Sequence, residues 1–132
     1  MSRYLLDTTA LIDFSKRREP AFSLVYCLLH NGDEVGVSPI NVAEFYAGLG
    51  SAELETWDEF FEPILLWPIC LAAAKQAGRF RYEYRQCGMT LSATDTLVAA
   101  VALEQRATIV TNNVKDYPMD EIDLLPTHEE RA

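Results

Sequence analysis

The stretch Tyr4-Leu5-Leu6-Asp7-Thr8-Thr9-Ala10-Leu11-Ile12-Asp13 constrains this chain more than any other. A short apolar run, Tyr4 to Leu6, stops on a carboxylate, and Asp7, Thr8 and Thr9 supply the small polar groups that open a helix at Ala10. The pattern reads strand, turn, helix. It recurs at Val35-Gly36-Val37, which flows into Ser38 as N-cap and Pro39 as first helical residue. A further strand, Thr108 to Thr111, ends in the small polar groups of Asn112 and Asn113. Strands alternating with helices imply an α/β fold around a mainly parallel sheet of four to five strands. Every carboxyl end then lies on one rim, where ligands bind in open sheets of this kind. Asp7 on that rim has two readings, a helix cap or a working carboxylate.

The remaining helices are expected at Ala21 to His30, Ile40 to Leu49, Ser51 to Phe61, Ile69 to Gln86 and Thr96 to Arg106, with a third strand at Ile64 to Trp67. In the Ser51 to Phe61 helix, Leu54, Trp57, Phe60 and Phe61 are expected to face inward. The tail through Ile122, Leu124 and Leu125 to Glu129 and Glu130 reads as an edge strand that then frays. At 132 residues the chain is expected to form a single domain that buries roughly two-thirds of its extended surface. Cys27, Cys70 and Cys87 lie at scattered spacing in apolar or helical stretches and read as reduced core thiols of a cytoplasmic protein. The apolar run at the N-terminus is broken at once by Asp7, unlike a signal peptide, and no run is long enough to cross a membrane.

The net charge of -9 argues against non-specific nucleic-acid binding, and with only His30 and His128 any metal must be carried by carboxylates. One basic strip stands out against that background. Lys75, Arg79, Arg81 and Arg85, four of the eleven basic residues, are interleaved with Phe80, Tyr82 and Tyr84 on the longest helix. Such groups can hold phosphates and stack unpaired bases, or simply form a solvated face.

Two more acids sit at helix mouths. Glu44 lies on the side of its helix opposite Val42, Phe45, Tyr46 and Leu49, among the small residues Ala43, Ala47 and Gly48. Asp95 closes the S-x-x-D box Ser92-Ala93-Thr94-Asp95 in front of a helix apolar nearly all round, so capping alone can account for it. Asp7, Glu44, Asp95 and Asp116 can nevertheless converge on one cleft. Bare carboxylates about 5 Å apart repel by roughly 3 kcal/mol at an effective dielectric near 20, and a hard divalent cation, Mg²⁺ or Mn²⁺, relieves that repulsion. Such an ion can also acidify a water and steady charge on a phosphate.

Four segments in order, Leu6 to Ile12, Asn41 to Gly48, Thr94 to Ala100 and Val110 to Tyr117, resemble the successive motifs of PIN-domain nucleases, and most closely the VapC toxins of toxin–antitoxin pairs. The resemblance implies a three-layer α/β/α PIN-like fold and a metal-dependent endoribonuclease. Asp7 and Asp95 would be the principal metal ligands, with Glu44 completing the acidic site. It also implies a cytoplasmic homodimer acting on structured RNA and silenced by a VapB-like antitoxin whose tail occupies the active-site groove. The family's fourth acidic position falls at Asn113, an amide, with Asp116 placed to supply the missing charge and Thr111 to orient Asp7 or a water. Two other readings compete. In one the protein is a metal phosphohydrolase of small phosphoesters, although Thr9 stands where the aspartyl-nucleophile type carries its second Asp. In the other the fold serves only as a binding module.

Overall fold

The computed structural model describes residues 2–128, so Glu129 and Glu130 lie outside the described residues. Five strands form one all-parallel sheet: β1 (Arg3–Leu6), β2 (Glu34–Val37), β3 (Leu65–Leu66), β4 (Thr108–Thr111) and β5 (Leu124–Pro126), in the order β3-β2-β1-β4-β5. The helices are α1 (Thr8–Ser15), α2 (Ala21–His30), α3 (Pro39–Ala47), α4 (Leu54–Phe61), α5 (Leu71–Gln86) and α6 (Ala93–Gln105).

The alternation of side chains along a strand divides the core into two layers. Leu5 and Ile109 face the cluster built with Phe80, Val98, Ala99 and Val101 of α5 and α6. Their neighbours Leu6 and Val110 face the opposite cluster, with Leu11, Val25 and Phe45 of α1, α2 and α3. This is the expected three-layer arrangement. Because β1 is central and pairs with both β2 and β4, its carboxyl end is flanked by theirs, and Asp7, Ser38 and Asn112 emerge side by side.

Several boundaries differ from the sequence reading for local reasons. Helix α1 begins at Thr8 because Asp7 itself is the N-cap, its carboxylate accepting from the Ala10 N–H at 3.0 Å. The Ser51 to Phe61 stretch is split into a 3-10 turn, Ser51–Glu53, and α4, since no side chain caps a longer helix there. Leu54 is exposed rather than inward-facing. Only Leu65 and Leu66 of the third stretch pair with a neighbour. Helix α5 starts after Cys70, whose thiol accepts from Ala73 N–H, and α6 starts three residues earlier than expected, after Ser92.

Two of the three cysteines are not core thiols, while Cys70 packs against the core from its edge. Cys27 and Cys87 are exposed and Cys70 is half-buried, all three unbonded to one another. In α2 the buried residues are Ala21, Val25 and Leu28, so Cys27 falls on the outer side, while Cys87 is the C-cap of α5. No helix among the described residues is long and apolar enough to cross a membrane.

Gly36 fixes how the helical layer meets the sheet. It sits mid-β2 opposite Leu5, and a Cβ there would lie 2.8 Å from the ring of the buried Trp67, itself held by its N–H to Val37 C=O at 2.9 Å. Gly36→Ala should therefore destabilise the protein by about 1–3 kcal/mol through overpacking, measured as a lower urea midpoint with unchanged slope. A neutral effect would show that the Trp67 ring is free to move.

Candidate active site

The site is built upward from the end of β1. Asp7 is 3% exposed, and every contact it makes follows from its place between strand and helix. One oxygen, Oδ1, accepts from Ala10 N–H and from the Thr9 hydroxyl at 2.7 Å, and Oδ2 accepts from the Tyr117 hydroxyl at 3.1 Å. Burial pushes its pKa up from the usual carboxylate range. The nearby hydroxyl of Thr111, those of Thr9 and Tyr117 and the Ala10 amide partly offset this. The Tyr117 phenol is pushed up in turn, first by burial and then by the charges of Asp7 and Asp95, so it is a fixed proton donor.

Three more acids surround this centre. Asp95, half-buried in the first turn of α6, has a raised pKa from burial and from the charge of Glu44, partly offset by Ser92. Its backbone N–H donates to Ser92 Oγ at 3.0 Å, but the reciprocal bond of a full capping box is absent among the described residues. The Asp95 carboxylate is thus not consumed by the cap. Asp116 is raised by burial and by the charges of Asp95 and Asp7. Glu44 is exposed on α3 and is steadied by the Thr8 hydroxyl at 2.7 Å, which itself accepts from Asn41 Nδ2. The structure therefore brings Asp7, Asp95, Asp116 and Glu44 into one electrostatically coupled group.

Asn113 and Thr111 belong to the same rim. Asn113 Nδ2 donates to Asp116 Oδ2 at 2.9 Å, and Asn113 N–H donates to the fully buried Thr111 Oγ1 at 2.9 Å. The Asn113 side chain is thus tied to the Asp116 carboxylate. The basic residues of α5 do not form a single strip. Lys75, Arg79 and Arg85 are exposed, with the Arg79 guanidinium 4.6 Å from the Tyr82 ring centre. Arg81, two residues from Arg79 and so on the other side of the helix, turns inward and its Nε donates to Leu91 C=O at 3.3 Å, just before α6.

Among the described residues no Lys, Arg or His is ion-paired to any of the four acids. Among the described residues the ion pairs are Arg3 with Glu34 and Arg18 with Asp13. Nor do three or more His, Cys, Asp or Glu side chains form a ready-made metal cage among those residues. The available donors are carboxylate oxygens, the ligand type of hard cations, and Mg²⁺ characteristically takes only one or two such carboxylates and keeps waters for its remaining positions.

Sequence reasoning missed Tyr117, and with it Asp13 and Asn112. Tyr117 closes the last motif seven residues after Val110, where nothing local marks its role; only its hydroxyl, meeting Asp7 across 110 positions, reveals it.

Comparison with known proteins agrees with this geometry. The PIN domain family matches residues 4–122. Ribonuclease VapC19 of Mycobacterium tuberculosis is 30% identical over 115 residues, covering 87% of this chain and 92% of that protein. Ribonuclease VapC2 of Rickettsia felis is 24% identical over 119 residues, 86% and 89% of the two chains. Among solved structures, VapBC2 from Rickettsia felis bound to a fragment of its promoter DNA superposes with a TM-score of 0.81 at 23% identity, over 94% of this chain and 98% of that one. VapBC-1 from nontypeable Haemophilus influenzae gives 0.79 at 19% identity, over 94% and 97%.

The family match over residues 4–122 and the fold define a PIN domain. The chain belongs to the PIN domain family, and within it to the VapC type.

Burying an ionisable acid has a thermodynamic signature. With its native pKa raised, Asp7 contributes stability that is fully present below its unfolded pKa of about 3.9 and is lost as pH rises through the native value. Asp7→Asn keeps an oxygen for the Ala10 and Thr9 donors and carries no charge. Its melting temperature at pH 7 without metal should exceed that of the parent, and the gap should close as the pH falls below about 4. Thermal unfolding of both proteins across that range checks the sign.

Proposed function

We propose that this protein is a metal-dependent endoribonuclease acting as the toxin of a type II toxin–antitoxin pair. The observation that carries the reading is a chain of facing charges, the buried Asp7 and Asp95 both acting on Asp116 and Glu44 acting on Asp95, with no ion pair to any of the four among the described residues. Four acids without a counter-charge destabilise a fold unless they serve a ligand that supplies one. The names of its relatives point to ribonuclease activity.

On this reading Asp7 and Asp95 hold Mg²⁺ or Mn²⁺. The bound ion supplies positive charge for a phosphate and lowers the pKa of water. The chain's own residues do the positioning. Asp7 is locked by Ala10, Thr9 and Tyr117, Glu44 by Thr8, and Asp116 by Asn113. Thr111 keeps the rim in place from below. Lys75, Arg79 and Arg85, exposed on α5, are assigned to the RNA backbone, while Arg81 is held inward by its bond to Leu91. An acidic protein with few such contacts binds RNA weakly in general, which favours selection by shape over indiscriminate cutting.

The partner proposed is a VapB-like antitoxin, in keeping with the toxin–antitoxin complexes among the structural neighbours. A groove of about 730 Å³ between α1, α2, α3 and α4 supports this, lined by Ile12, Phe14, Phe22, Phe45 and Trp57 and reaching Glu44. A chain seated there would lie against one of the four acids. Leu66 and Leu71, 60% and 72% exposed, support a homodimer, since a second copy would cover them.

Purified protein incubated with structured RNA should cut it in Mn²⁺ or Mg²⁺ and stop when the metal is chelated. Asp7→Asn and Asp95→Asn should each lose more than about 100-fold in rate, beyond the usual cost of losing a residue that only supports a metal ligand, with circular dichroism unchanged. Undiminished cutting by either variant would sink the assigned roles.

A further inference from the structure

Asp13 is a buried carboxylate that the acid cluster does not use. It is 8% exposed, lies beyond Asp7 on α1, and has both oxygens occupied. Oδ1 accepts from the Arg18 guanidinium at 3.1 Å, and Oδ2 accepts from Asn112 Nδ2 at 2.7 Å. Asn112 lies 99 residues away, on the first turn after β4. Its backbone N–H donates at 2.9 Å to Thr9 Oγ1, the same hydroxyl that donates to Asp7.

Thr9 and Asp13 are four apart, so they share one face of α1. That face grips Asn112 twice, by its backbone through Thr9 and by its side chain through Asp13. The next residue, Asn113, carries the amide that orients Asp116, and its own N–H is bonded to Thr111. A buried carboxylate is costly unless paired and hydrogen-bonded; an apolar side chain would fill the same space without needing two directed partners. What the carboxylate adds is direction, since it tells the loop after β4 where to sit relative to Asp7.

We infer that Asp13 and Asn112 form a positioning latch that sets the Asn113–Asp116 turn against Asp7 and so registers the two halves of the acid cluster. Neither residue touches the reacting groups. The inference rests on the acid cluster being the catalytic site, and it adds residues whose effect is on the alignment of that site.

The pair can be exchanged. Asn112→Asp sets two carboxylates against each other. Asn112→Ala removes the side-chain bond while leaving the backbone bond to Thr9. The double variant Asp13→Asn with Asn112→Asp restores an N–H donor facing a carboxylate, and the carbonyl oxygen of the amide introduced on α1 is still available to Arg18. Amide hydrogen exchange of Asn112 and Asn113 in the metal-free protein is the first readout, and kcat and KM for RNA cleavage in Mn²⁺ are the second. For the residue at position 112 the same backbone N–H is followed in each variant. Exchange should be about 10-fold faster in Asn112→Asp and Asn112→Ala and return toward the parental rate in the exchanged pair. The same single variants should lower kcat by about 10- to 100-fold, the range for residues behind a metal ligand, with KM within about two-fold, and the exchanged pair should recover most of that loss.

Unchanged exchange in both single variants, or no recovery in the exchanged pair, overturns the latch. Faster exchange with unchanged kcat overturns its part in catalysis. Should the parent protein cut no RNA at all, the functional assignment fails, while the exchange measurement still decides whether the latch exists.

Discussion

The constraint on which the structure depends is the placement of one carboxylate, Asp7, in a nearly dry position at the junction of β1 and α1. A charge there is expensive, and the fold offsets it with three donors from two places in the chain: the Ala10 amide and Thr9 hydroxyl in the first turn of α1, and the distant Tyr117 hydroxyl. Each donor also removes a degree of freedom. An acid held at both oxygens cannot swing, so its position relative to the neighbouring acids is set by these bonds.

Around that point the architecture is economical. The all-parallel sheet sends three adjacent strands to the same rim, and the residues leaving it, Asp7, Ser38 and Asn112, each organise the segment after them. Ser38 and Asn41 form a full capping box at the start of α3, and Asn41 then donates to Thr8, which holds Glu44. Polar groups buried at the rim are therefore linked, so caps and acids belong to one network and a change at one is felt at its neighbours.

Much of this is legible in the sequence. The strand–polar–helix junctions at Leu6–Asp7 and Val37–Ser38 are local chemistry, and Ser38 is the N-cap with Pro39 as first helical residue, as the spacing demands. Asp7 at a strand end and Asp95 in the first turn of a helix follow from that local chemistry, whereas Glu44, midway along α3, reads from sequence only as a helical acid among small residues. What stays hidden depends on contacts between residues about a hundred positions apart. Tyr117 and Asp13 are both buried, and nothing next to either in the sequence shows the distant partner that it meets. The half-formed box at Ser92 is equally silent, since only geometry shows that the Asp95 carboxylate does not return to the cap. The basic residues of α5 illustrate the reverse error, because i to i+4 spacing pairs them correctly but cannot show that Arg81 is bonded inward while Lys75 and Arg85 stay in solvent.

The central claim is that acids from separate parts of the chain meet to hold one divalent cation. It is tested most directly by growing crystals in Mn²⁺ and recording anomalous diffraction at the manganese edge. The account predicts an anomalous peak within about 2.0–2.3 Å of carboxylate oxygens of both Asp7 and Asp95, close to Mg²⁺-like distances, with the Tyr117 bond to Asp7 retained. A peak elsewhere, or none at saturating Mn²⁺ with both carboxylates ordered, would contradict it.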